Sequence, residues 1–159
     1  MRRLSGLVMA LAAASCAVPT EPAAGERLTL ALVGGWSAEE RAAIEASLDA
    51  WRVTTGGDVN VHATDEPRAA DARLVRGPVA SRVSDFSRLE RWIRIDADAL
   101  AAEGFSARDG VGALTGCLVG RMLGMPFHDG DRGFLSSTNI TADPTADDVA
   151  ACRAAGMCE

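Results

Sequence analysis

The sequence predicts an α+β domain: a twisted, mixed β-sheet with helices packed on one side of it. Three observations point there. Short segments alternate apolar and polar residues with period two. Longer segments carry apolar residues at helical spacing behind capping residues. Their order along the chain is β-α-β-β-(β)-β-α-loop-α. A length of 159 residues suits one domain with a real core.

Taken in order, "RLTLALVGG" (27–35) alternates Leu28, Leu30 and Leu32 with Thr29 and Ala31, then stops at two glycines. Ser37 and Glu40 form a capping box for a helix whose stripe is Ile44, Leu48 and Trp51, closed by Gly56 and Gly57. "DVNVHA" (58–63), "ARLVRG" (72–77) and "RWIRID" (91–96) read as strands. The polar segment 78–90 holds either a further edge strand or a loop. A second long helix starts near Ser106, capped with Asp109. It places Val111, Leu114, Leu118 and Met122 on one face and ends at Gly124. A turn region follows, and Thr145 with Asp148 caps a last helix reaching Cys152.

The first 15 residues read as a secretory signal: Arg2 and Arg3, then a short apolar run, then small residues. The run falls well short of the roughly 20 residues that span a bilayer. Ala13-Ala14-Ser15-Cys16 resembles a bacterial lipoprotein box, which makes Cys16 a lipid anchor; cleavage at a small-x-small site instead leaves Cys16 a plain thiol. Residues 16–26 read as a flexible tether and 27–159 as the folded domain. The expected location is the bacterial cell envelope, held by lipid, or a secreted or periplasmic soluble form on the other route. All 16 basic residues are arginine, a bias that fits a GC-rich bacterial genome. The net charge is −6, and about −8 once Arg2 and Arg3 leave with the signal. An acidic domain is a poor partner for nucleic acid, whose phosphates need basic patches. It is equally poor at docking on anionic lipid, so membrane attachment rests on acyl chains alone. In an oxidising compartment Cys152 and Cys158 are expected to close a small disulfide loop, leaving Cys117 as a buried apolar residue.

The motif that bears on chemistry is residues 117–128, "CLVGRMLGMPFH". "GRMLGM" is similar to the "GHALGL" of the metzincin zinc proteases, within them the matrixin-like secreted bacterial members; Gly120, Leu123 and Gly124 match. The lead-in "IRID" and the closing "PTADDVAACRAAGMC" (144–158) resemble the same family. The resemblance implies a zincin-like twisted sheet with a backing helix, an active-site-type helix, a turn and a C-terminal helix. It also implies a cleft between the sheet's lower edge strand and the active-site-type helix, where an extended peptide adds as a strand.

The reactive positions depart from that pattern. Where the family has its first zinc histidine, general-base glutamate and second histidine, this chain has Cys117, Leu118 and Arg121. The turn glycine is kept as Gly124, the third histidine falls on Phe127 with His128 one place late, and the turn methionine falls near Leu135. Zinc catalysis needs about three protein ligands, an open position and a base. Arg121 cannot ligate and repels a cation, and Leu118 cannot take a proton. No catalytic residue, metal ligand or cofactor is therefore expected. Arg121 is expected either to pair with Asp129 or Asp131, tying turn to helix in place of a metal, or to reach solvent with its stem packed.

Other signals are weak. "DGDRG" (129–133) lacks the closing glutamate of a calcium loop, "NIT" (139–141) is a sequon without a glycosylating context, and His62 has no partner nearby in sequence. The leading expectation is an inactive, envelope-anchored domain that binds an unnamed protein or peptide. The alternatives are a metallopeptidase with zinc on Cys117, His128 and an acid, and a purely structural lipoprotein.

Overall fold

The computed structural model describes residues 23–80 and 82–159. The signal segment, Cys16 and most of the tether lie outside the described residues. Among those described, the fold is α+β with a five-stranded mixed sheet and four α-helices. No helix among them is long and apolar enough to cross a membrane.

The strands are β1 (Arg27–Val33), β2 (Asn60–Thr64), β3 (Ala72–Arg76), β4 (Ser84–Ser87) and β5 (Trp92–Ile95). The helices are α1 (Ala38–Thr54), α2 (Ala97–Ala102), α3 (Ala113–Met122) and α4 (Ala146–Ala154), with a π-helical turn at Arg108–Gly112 leading into α3. The sheet order is β2-β1-β3-β5-β4. The first four of these run parallel, and β4 closes the edge antiparallel to β5.

The open segment 78–90 thus supplies an edge strand, where a polar strand belongs. Register explains which residues face inward. Leu32 pairs with Leu74 and Leu74 with Ile93, so one row of apolar side chains meets the helices. Arg73 and Arg94 are exposed on the opposite face, with the Arg94 guanidinium over the Trp92 ring. Ile44, Leu48 and Trp51 of α1 join that inner row in one continuous core. The Ser37–Glu40 capping box forms as expected, and the chain leaves α1 through Gly56 and Gly57, both at positive φ.

Two expectations change. Residues 97–102 are helical, with the Asp96 carboxylate accepting from the Ala99 N–H as its cap. The stripe foreseen on α3 captures only part of its burial, because α3 runs through the core rather than over it. Val111 and Leu118 are buried, whereas Leu114 and Met122 are half-buried. The closest packing falls on Gly112, Gly116 and Gly120. A Cβ on Gly112 would meet the Ala43 carbonyl at 3.2 Å, and one on Gly120 would meet Leu135 at 3.0 Å and Trp51 at 3.1 Å. A Cβ on Gly116 would overlap the Phe134 ring. This glycine row lets α1 come close enough for Ser47 Oγ to donate to the Gly112 carbonyl at 2.7 Å and Trp51 Nε1 to the Gly116 carbonyl at 2.8 Å.

Candidate functional site

The motif residues sit where the end of α3 meets the turn at 124–137. Helix α3 stops at Gly124, whose φ of +90° suits glycine and whose missing Cβ leaves room for the Arg88 guanidinium. The Met125 N–H donates to the Gly120 carbonyl at 3.0 Å and closes the helix end.

Cys117 is 2 % exposed and unpaired. Burial pushes its thiol up to about 12, against the opposing pull of Arg121 and with help from Asp148. At neutral pH it is a buried thiol rather than a thiolate. Leu118 is buried in the core.

Arg121 does not pair with Asp129 or Asp131, both of which are exposed. Its Nη1 donates to the Met125 carbonyl and its guanidinium lies 4.6 Å from the centroid of the Phe127 ring. The helix end turns back on itself through the Met125 N–H to Gly120 carbonyl bond, which brings the Met125 carbonyl beside Arg121. Arg121 instead contacts the backbone and an aromatic ring of the segment just after α3. Phe127, at the third-histidine position, is 49 % exposed.

His128 is fully engaged by the protein itself. Its Nδ1 accepts from the Gly130 N–H at 3.1 Å, which makes Nε2 the protonated nitrogen, and Nε2 donates to Asp148 Oδ1 at 2.9 Å. Asp148 is fully buried and is the hub of the region. Its Oδ1 also accepts from the Leu135 N–H at 2.7 Å. Its Oδ2 accepts from the Phe134 N–H at 3.0 Å, the Thr145 N–H at 2.7 Å and the Thr145 hydroxyl at 3.1 Å. Gly133 is forced to be small, since a Cβ there would stand 2.5 Å from Asp148 Oδ2. One carboxylate thus binds α4, the turn and His128 together. Of the set Cys117, His128 and an acid, the histidine and the carboxylate of Asp148 are hydrogen-bonded to each other, and Cys117 lies buried in the core. Among the described residues, no three His, Cys, Asp or Glu side chains converge as a metal-ligand group.

Sequence reasoning found Asp148 as a cap but not as a hub. The capping box with Thr145 is present, but the carboxylate's burial depends on the turn folding over it. The Cys152–Cys158 disulfide forms, with a Cα–Cα distance of 5.4 Å, and fastens the last turn of α4 to the C-terminal residues. His62 lies on β2 with Nε2 2.7 Å from Asn60 Oδ1, and burial, then Arg27 and Arg52, lower its proton affinity. The ion-paired cluster of Glu40, Arg76 and Asp98 gave no sequence signal. Arg76, at the end of β3, bonds Glu40 of α1 at 3.1 Å and Asp98 of α2 at 2.9 Å.

The site therefore belongs to an α+β domain in which Arg121 and His128 hydrogen-bond within and beside the turn that follows α3. No protein-family model and no curated protein matches this sequence.

Proposed function

We propose that the protein is a catalytically inactive, zincin-like domain of the bacterial cell envelope, anchored through lipid on Cys16, that binds an extended segment of another protein or peptide. The observation that carries the first half is His128: both ring nitrogens are used within the fold, one on Asp148 and one on the Gly130 N–H. Cys117, Leu118 and Arg121 add to it, being respectively a buried protonated thiol, a core side chain and a clip on the Met125 carbonyl. The order of the elements, with a backing helix, a helix ending in Leu-Gly and a last capped helix, supports the zincin likeness.

The binding half rests on the sheet edge. Among the described residues β4 has one strand partner, β5, and lies against α3, so its outer side offers backbone groups for strand addition. The Phe86 N–H on this strand donates to Asp85 Oδ1 at 2.9 Å. An incoming strand that takes this N–H displaces that carboxylate.

Two measurements test the reading. Zinc titrated into purified protein should show no stoichiometric uptake, and an unfolded casein substrate should stay intact; stoichiometric zinc with cleavage would overturn the inactive assignment. For the edge, Asp85→Ala releases the Phe86 N–H and should tighten an extended peptide selected from an array by about fivefold, the worth of one neutral hydrogen bond. Unchanged affinity would move the binding site away from β4.

A further inference from the structure

The turn after α3 carries a chemistry of its own at Asp129-Gly130. In an Asp-Gly pair the glycine nitrogen can attack the side-chain carboxyl before it, because glycine puts no side chain in the way. The chain has two such pairs, Asp109-Gly110 and Asp129-Gly130, and their surroundings differ. The Gly110 N–H is spent on the Ser106 carbonyl at 2.9 Å within the π-helical turn, and the Asp109 carboxylate accepts from the Ser106 hydroxyl at 2.8 Å. Asp129 is exposed and lies outside every helix and strand. Its carboxyl forms no hydrogen bond or ion pair among the described residues.

The Gly130 N–H donates to His128 Nδ1 at 3.1 Å, and the ring's Nε2 donates to the buried Asp148 carboxylate at 2.9 Å. The Ser136 hydroxyl holds the Gly130 carbonyl at 2.8 Å. An amide nitrogen beside an unengaged carboxyl thus has a base on its proton, and that base is backed by a carboxylate, the order of groups that serves general-base catalysis.

We propose that Asp129 is a site of self-modification, converting to isoaspartate through a cyclic imide with His128 as the base. The Gly130 nitrogen attacks the Asp129 carboxyl in its acid form. A bond forms from that nitrogen to the side-chain carbonyl carbon, and the amide proton passes to His128 Nδ1. The proton then leaves with the carboxyl's hydroxyl as water. Asp148, at Nε2, compensates the charge of the ring while it holds the proton. Water reopens the imide: at the side-chain carbonyl it restores aspartate, at the main-chain carbonyl it gives isoaspartate. The water lost is regained, so the change is an isomerisation without oxidant or co-reactant. The site is independent of the peptide-binding reading.

The test is to age the full chain in mildly acidic buffer and locate isoaspartate by electron-transfer fragmentation of its peptides. It should form at 129 at least about tenfold faster than at 109, and about tenfold faster than in a synthetic peptide of residues 124–137. That is a lower bound against the roughly 100-fold or more that a positioned base supplies in an enzyme. His128→Gln keeps a donor for Asp148 and an acceptor for Gly130 but cannot take the proton, and should bring the rate at 129 down to the peptide's. The peptide comparison tests the part of His128 even if that variant does not fold. Asp129→Asn, at an exposed position, should close the same imide with loss of ammonia and show the mass gain of deamidation. No isoaspartate at 129, equal rates at 129 and 109, equal rates in protein and peptide, an unchanged rate in folded His128→Gln, or an Asp129→Asn chain that keeps its amide would each overturn the proposal.

Discussion

Asp148 and Cys117 show how single side chains decide what this domain is. Asp148 is a buried carboxylate satisfied on both oxygens, so removing it strands several donors at once. Asp148→Ala is expected to cost about 3–5 kcal/mol, as for breaking other buried charged networks. Urea unfolding would measure it, and a loss below 1 kcal/mol would deny Asp148 its role as hub. Cys117 carries a pH signature. Its thiol is raised above an unfolded value of about 8.5 to about 12 in the fold. Between those values the unfolded chain has lost a proton that the native one keeps. Native stability therefore falls as pH rises through that window, by up to about 1.4 kcal/mol per pH unit. The chain has neither lysine nor tyrosine to obscure the effect. Cys117→Ala should remove the slope in unfolding curves taken at pH 8.5 and 11, and an unaltered slope would refute the assignment. The cap Thr145-x-x-Asp148 is legible in sequence because it is local; the burial of its carboxylate is not, because the groups that cover it, from His128 to Leu135, lie 20 to 13 residues earlier.

Among the elements, α3 departs most from expectation. Its apolar letters suggested a helix with one buried stripe. The structure shows a helix inside the core, whose closest contacts fall where there is no side chain at all. Gly116→Ala puts a methyl into the Phe134 ring and should destabilise by about 1–3 kcal/mol through overpacking. Phe134→Leu in the same chain should recover part of that loss by opening space; thermal melting of the single and double variants would show whether the two sites are coupled. The row Gly112, Gly116, Gly120 stands in the sequence at a spacing of four, the signal that marks close helix approach. At the end of α4, opening the Cys152–Cys158 loop is expected to cost about 2 kcal/mol, the loop entropy of so short a ring, and reduction with a thiol would test it.

At the scale of the whole molecule, Arg76 joins β3 to α1 and α2. Glu40 is raised by its burial, but hydrogen bonds from Arg76 and the Ser37 cap outweigh that and hold its carboxyl low. Asp98 is lowered chiefly by its hydrogen bond with Arg76. Because both folded values lie below the unfolded ones, their contribution is full above the ordinary carboxylate range of about 4. It is lost as pH falls through the lowered folded values. Arg76→Ala should flatten the acid limb of stability against pH, and an unchanged limb would assign acid sensitivity elsewhere. The sequence by itself determined four of the five strands, the caps of α1 and α4, the disulfide pair and the absence of a zinc helix's reactive letters, because each depends on residues within a few positions of one another. Only the tertiary structure decided that β4 is an antiparallel edge, that Arg121 turns to a carbonyl rather than to an acid, and that Asp148 and His128 join across the turn. Those outcomes depend on which distant groups are brought within hydrogen-bonding distance, and that is set by packing, not by spacing along the chain.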